Sequence, residues 1–119
     1  MEKLAQIPSF QERQNIVLEG FDPVSAGGFT QLPNCILNNK DLGFSAKVVY
    51  AKLLSYAWNN DRVFPGQDRM AEELGSSQQT VSRAIVELEN IGYLEIMRRG
   101  LGRTNLYTLR HTVNIKNKK

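Results

Sequence analysis

The stretch MAEELGSSQQTVSRAIVELENIG, residues 70–92, decides how this chain folds. Met70, Ala71 and Leu74 recur at helical spacing until Gly75 stops them, and Ser77 then stands where the N-cap of a following helix belongs. A second periodic run predicts a helix over residues 77–91, with Gly92 as its left-handed C-terminal cap. Two helices joined this tightly need a small residue where they cross, a turn residue that tolerates positive φ, and apolar anchors on the second helix. Ala71 fits the first need and Gly75 the second, while Val81, supported by Leu74, Ile85 and Leu88, supplies the anchors.

Working backwards, Pro65 and Gly66 lead into the shorter helix, which starts near Gln67. A longer helix is predicted from Ser45, as its N-cap, through Trp58. Its inner side is expected to carry Ala46, Val49, Tyr50, Leu53, Leu54 and Ala57. Ahead of it, residues 29–32 suit a short strand ended by Pro33, and residues 34–37 suit a helical turn before a loop over 38–43. Residues 1–28 are polar and broken by Gly20, Pro23, Gly27 and Gly28, so they are expected to form a flexible leader. Within them only Ile16-Val17-Leu18 forms an apolar cluster, which leaves a short helix or docking segment open.

Working forwards, the period falls from about 3.6 to 2 after Gly92. Leu94 and Ile96 share one face of a first strand, and Asn105, Tyr107 and Leu109 share one face of a second. Gly100-Leu101-Gly102 allows the reversal between them, so residues 93–109 are predicted to form a β-hairpin. The fold expected is mainly α with a small β-hairpin (α+β): a winged helix-turn-helix with a three-helix core over residues 29–110, followed by a basic tail, 111–119.

Placing the helix over 77–91 on a wheel of about 100° per residue sorts its side chains into two faces. Val81, Ala84, Ile85 and Leu88 form the inner arc, and Gln79, Arg83, Val86 and Asn90 fall opposite. Gln78 and Ser82 lie at the margins of its first half. Ser77, Gln78, Gln79, Ser82 and Arg83 are therefore the candidate DNA contacts of a recognition helix. Glutamine can bond adenine N6 and N7, and arginine can bond guanine O6 and N7, in the major groove.

Charge supports the same reading. The chain has 119 residues and a net charge of +3, but residues 1–28 sum to −2 and residues 92–119 to +6. Arg98, Arg99 and Arg103 cluster on the hairpin's tip, the wing over about 98–104, and with Thr104 they are the candidate backbone contacts. Gln67 joins them, because the N-terminal end of a helix offers free N–H groups to a phosphate. A solvated helix face and a hairpin made basic for solubility are the bland alternatives.

The phrases Phe64-Pro65-Gly66-Gln67, Met70-Ala71-Glu72-Glu73-Leu74-Gly75, Thr80-Val81-Ser82-Arg83-Ala84-Ile85 and Gly92-Tyr93-Leu94 resemble bacterial winged helix-turn-helix modules. The likeness points to those at the N-terminus of phage and plasmid replication initiators. It extends to Phe29-Thr30-Gln31-Leu32-Pro33 and to residues 102–109. The chain is also similar to the DNA-binding domains of GntR-type regulators. Gly66 departs from the pattern, standing where the class often has a capping serine. Both classes normally continue into a further domain, so the chain is either a fragment or a stand-alone binder.

The resemblance implies duplex DNA as partner, with replication initiation ahead of transcriptional regulation, possible help from replication or transcription proteins, and a homodimer on paired half-sites. A winged helix used for protein docking alone is the remaining alternative. No enzyme, metal or cofactor is expected. Cys35 and His111 are too few for a structural zinc site, and Gly100-Leu101-Gly102 lacks the third glycine of a dinucleotide loop. Without a secretory signal or a long apolar run, the expected location is the cytoplasm, on the nucleoid.

Overall fold

A computed structural model describes residues 15–58, 64–102 and 105–112. Five helices precede a hairpin: α1 (Pro23–Ala26), α2 (Asn34–Leu37), α3 (Phe44–Trp58), α4 (Gln67–Leu74) and α5 (Gln78–Ile91), then β1 (Leu94–Met97) and β2 (Leu106–Leu109). The strands pair antiparallel, with Leu94 opposite Leu109 and Ile96 opposite Tyr107. Helix α5 packs on both α3 and α4, and the hairpin lies against α5 and α3. The chain is a winged helix-turn-helix, mainly helical with a two-stranded C-terminal hairpin on the helices.

One apolar core holds these elements together. Ala46, Val49, Tyr50, Leu53 and Tyr56 from α3 meet Met70 and Ala71 from α4, and Val81, Ala84, Ile85 and Leu88 from α5. Ile36 and Leu42 close one end, and Tyr93 and Leu94 carry the core into the hairpin. Aromatic contacts fasten β2: Phe64 stands edge-on to Tyr107 at 4.7 Å and packs on Tyr56 at 6.0 Å. The Tyr50 hydroxyl donates to the Arg110 carbonyl at 2.8 Å, and the Cys35 thiol donates to the His111 carbonyl at 3.3 Å. Burial pushes the Tyr50 phenol above its ordinary value, and the nearby Cys35 and Tyr93 add to the shift.

Several boundaries differ from the sequence expectation. Helix α3 starts at Phe44, and the Lys47 N–H bonds the Gly43 carbonyl at 3.1 Å, so Ser45 lies inside the first turn and does not cap it. At its other end Tyr56, not Ala57, enters the core, because its ring reaches the α4 side while its hydroxyl donates to Glu73 Oε1 at 2.7 Å. Residues 29–32 form no strand: the sheet among the described residues has only β1 and β2, so no ladder reaches them. The hairpin strands are shorter than predicted, and Asn105 is exposed instead of facing inward with Tyr107.

Gly66 departs from a capping serine for a conformational reason. It sits before α4 at φ 113°, ψ 166°, a region essentially restricted to glycine, with open space around its Cα. A serine there would gain a cap and lose more to backbone strain.

Glu73 gathers the polar contacts between α3 and α4: it accepts from Tyr56, pairs with Lys52 at 3.1 Å and with Arg69 at 3.2 Å. The Tyr56 hydrogen bond, with Lys52 beside it, holds its carboxyl below the usual glutamate value. A carboxyl depressed in the folded state contributes stability above its unfolded pKa and loses it as pH falls through the folded one. Urea denaturation at a series of pH values should therefore show stability falling below about pH 4.5. Glu73→Gln should flatten that acid limb; parallel limbs for the two proteins would remove Glu73 as a cause.

Candidate nucleic-acid interface

The turn between α4 and α5 is built from local chemistry. Gly75 closes α4 in the left-handed region (φ 69°, ψ 35°), and the Ser76 N–H returns to the Ala71 carbonyl at 2.8 Å. Ser77 then caps α5, its hydroxyl oxygen accepting from the Thr80 N–H at 3.1 Å. Ala71 is 4% exposed, so the small side chain lies in the packed contact between the two helices.

Val81, Ala84, Ile85 and Leu88 are all buried, which turns the opposite side of α5 outward. Gln78, Gln79, Arg83, Val86 and Asn90 are exposed along it, and Ser82 is half-buried. Ser77 is exposed at the head of the helix. Five of the predicted contacts, Ser77, Gln78, Gln79, Ser82 and Arg83, thus share the N-terminal half of one helix.

Two glutamates on α5 define the borders of this face. On the wheel Glu87 falls about 40° beyond Arg83, and Glu89 flanks the Ser82 and Val86 side. Glu87 Oε2 accepts from the Gly43 N–H at 2.8 Å, where a carboxylate also suits the positive end of the α3 dipole. Glu89 meets Arg98 of the wing at 3.6 Å. The exposed face therefore runs between the start of α3 and the base of the wing. A cleft of about 340 Å³ opens on the first border, lined by Gly43, Phe44, Ser45, Thr80, Arg83, Ala84 and Glu87.

The role of Glu87 was not found in the sequence. A signal existed, in that Gly43 and Phe44 offer α3 no side-chain cap, but nothing local says that the acceptor lies 44 residues away.

In the wing, Arg98 and Arg99 are exposed just beyond β1, next to the turn at Gly100-Leu101-Gly102. The sequence candidates Arg103 and Thr104 lie outside the described residues, as do Lys116, Lys118 and Lys119 of the tail. Gln67 opens α4 and is half-buried; Gly66 before it gives the helix no side-chain cap, and Asp68 lies in its first turn. Among the described residues no group of three or more His, Cys, Asp or Glu could hold a metal ion. No described helix is long and apolar enough to cross a membrane.

Residues 40–94 match a family of helix-turn-helix domains. The match runs from the loop before α3 to the first residue of β1 and takes in the whole α4–turn–α5 unit. A helix-turn-helix domain suggests DNA binding, with DNA as the partner. No curated protein and no solved structure matches the chain.

Proposed function

We propose that this chain binds double-stranded DNA sequence-specifically, with α5 in the major groove and the wing on the flanking backbone. One observation carries the reading: the Gln78, Gln79 and Arg83 side of α5 is open to solvent and bordered by the wing. Both α5 glutamates are held by groups of the protein itself, which reduces their repulsion of phosphates. Arg98 meets Glu89 through Nη1 and, with its side chain 63% exposed, can turn its other N–H groups to a phosphate without releasing Glu89. Arg99, Arg103 and Thr104 extend that backbone contact, and Gln67 supplies another at the start of α4.

The process served is replication initiation of a plasmid, phage or other mobile element, a reading supported by the residue likeness set out above. Two copies on half-sites about one helical turn apart would give the specificity that one short helix lacks. The chain works, on this reading, on the nucleoid in the cytoplasm and without a cofactor.

Selection from random duplexes should yield a defined motif, and Arg83→Ala should then weaken binding to it by about 1–3 kcal/mol and relax one base position. Arg99→Ala or Arg103→Ala should weaken all duplexes alike and lower the slope of log affinity against log salt by about one. Equal affinities for wild type and Arg83→Ala on the selected site would reject α5 as the reading helix. A footprint over an origin supports the replication role, and one confined to promoters would replace it with transcriptional regulation.

A further inference from the structure

Helix α3 is apolar on two sides. Opposite its core face, Phe44, Val48, Ala51, Ser55 and Trp58 follow one another at steps of four and three, a single stripe along the helix. Phe44 is 87%, Val48 52% and Trp58 64% exposed. A groove of about 660 Å³ runs beside this stripe, lined from α3 by Val48, Ala51 and Trp58 with the polar Lys52 and Ser55 among them, and otherwise by residues 27–30 and Leu74.

The leader carries the complementary surface. Ile16, Val17 and Leu18 are 78%, 81% and 72% exposed and Phe21 is 66% exposed, more clustered apolar surface than a soluble chain normally leaves in water. The charges match as well. Lys47 and Lys52 are the only charged residues of α3, and Glu19 and Asp22 are the only ones in residues 15–30. Lys52 already pairs with Glu73 and Asp22 caps α1, which leaves Glu19 and Lys47 for each other; Lys47 has no ion pair among the described residues.

We infer that residues 16–19 of one copy of this chain lie in the groove beside α3 of a second copy, and reciprocally. The segment over 16–18 does not enter the groove of its own copy, as the exposure of Ile16, Val17 and Leu18 shows, although Phe21 rests on the Phe29 wall. An elbow holds it away: Asp22 caps α1 by accepting from the Ser25 N–H at 3.0 Å, Gly27 ends the turn, and the Phe21 ring stacks on Phe29 at 6.2 Å. Exchange between two copies covers both leaders and both stripes with one two-fold interface. It gives the homodimer of the proposed DNA reading a structure, yet it is measured without DNA, so the two ideas fail separately.

Trp58 is the sole tryptophan and stands in the groove wall, so it reports occupancy. Sedimentation equilibrium of the full chain, without DNA, should show a dimer forming with concentration, and Trp58 emission should shift to the blue along the same curve. Leu18→Ser, in the leader, and Val48→Glu, on the exposed stripe, should each raise the dimer dissociation constant at least about 100-fold, since each change counts twice. Far-UV circular dichroism checks that both variants remain folded. A monomer at every concentration overturns the inference. So does a dimer indifferent to both substitutions, or a blue shift that Leu18→Ser abolishes but concentration does not affect, which would place residues 16–19 in the groove of their own copy.

Discussion

Leu88→Ala should lower the unfolding free energy by about 2–5 kcal/mol, the range for truncating a fully buried leucine. Leu88 is 0% exposed on the inner face of α5, and its backbone carbonyl accepts from both Gly92 and Tyr93, so it sits where helix and hairpin meet. Natural domains hold only about 5–15 kcal/mol in total, so a large share of the stability goes with one side chain. Urea denaturation measures it, and the melting temperature should fall by about 10 °C or more. A loss below about 0.5 kcal/mol would mean that α5 is not seated on the core through this face.

Ala71→Leu should cost about 1–3 kcal/mol by the opposite route, too much volume where too little space exists. Ala71 is buried at the contact between α4 and α5, and the tight turn at Gly75 gives the two helices little slack to separate. The second consequence is functional. A shifted α5 would present Arg83 and Gln79 at the wrong angle, so the ratio of specific to non-specific DNA affinity should drop by about tenfold or more, while salt-dependent non-specific binding persists. Ala71→Gly is the control: it costs about 1 kcal/mol through helix propensity and leaves the crossing unobstructed. If Ala71→Leu changed neither stability nor the affinity ratio, the small residue would have no part in setting the crossing.

The parts of this fold that were legible in the sequence are those fixed by neighbours a few residues away. Val81, Ala84, Ile85 and Leu88 reveal the inner face of α5 because 3.6-residue periodicity is a local property, and Ser77 and Gly92 mark its ends by cap chemistry within three or four residues. Errors arise where a distant group decides. Ser45 has the composition of a cap, yet α3 begins one residue earlier, and the Gly43 N–H in front of it is met by Glu87. Tyr56 displaces Ala57 from the core because Glu73 and Phe64 are there to receive its hydroxyl and its ring. Residues 29–32 have strand-like composition but pair with no strand among the described residues. For the interface the outward side of α5 was legible in the same way, whereas its borders rest on contacts spanning 44 residues in one case and nine in the other.

Those two borders matter for thermodynamics. Glu87 pins one flank of α5 to the start of α3 and Glu89 ties the other to Arg98, both before any ligand arrives. A duplex docking on that surface would meet a largely preorganised receptor, so little of its contact energy would be consumed in ordering the protein. The heat-capacity change of association would then reflect the buried contact area alone, without the larger signature of coupled folding.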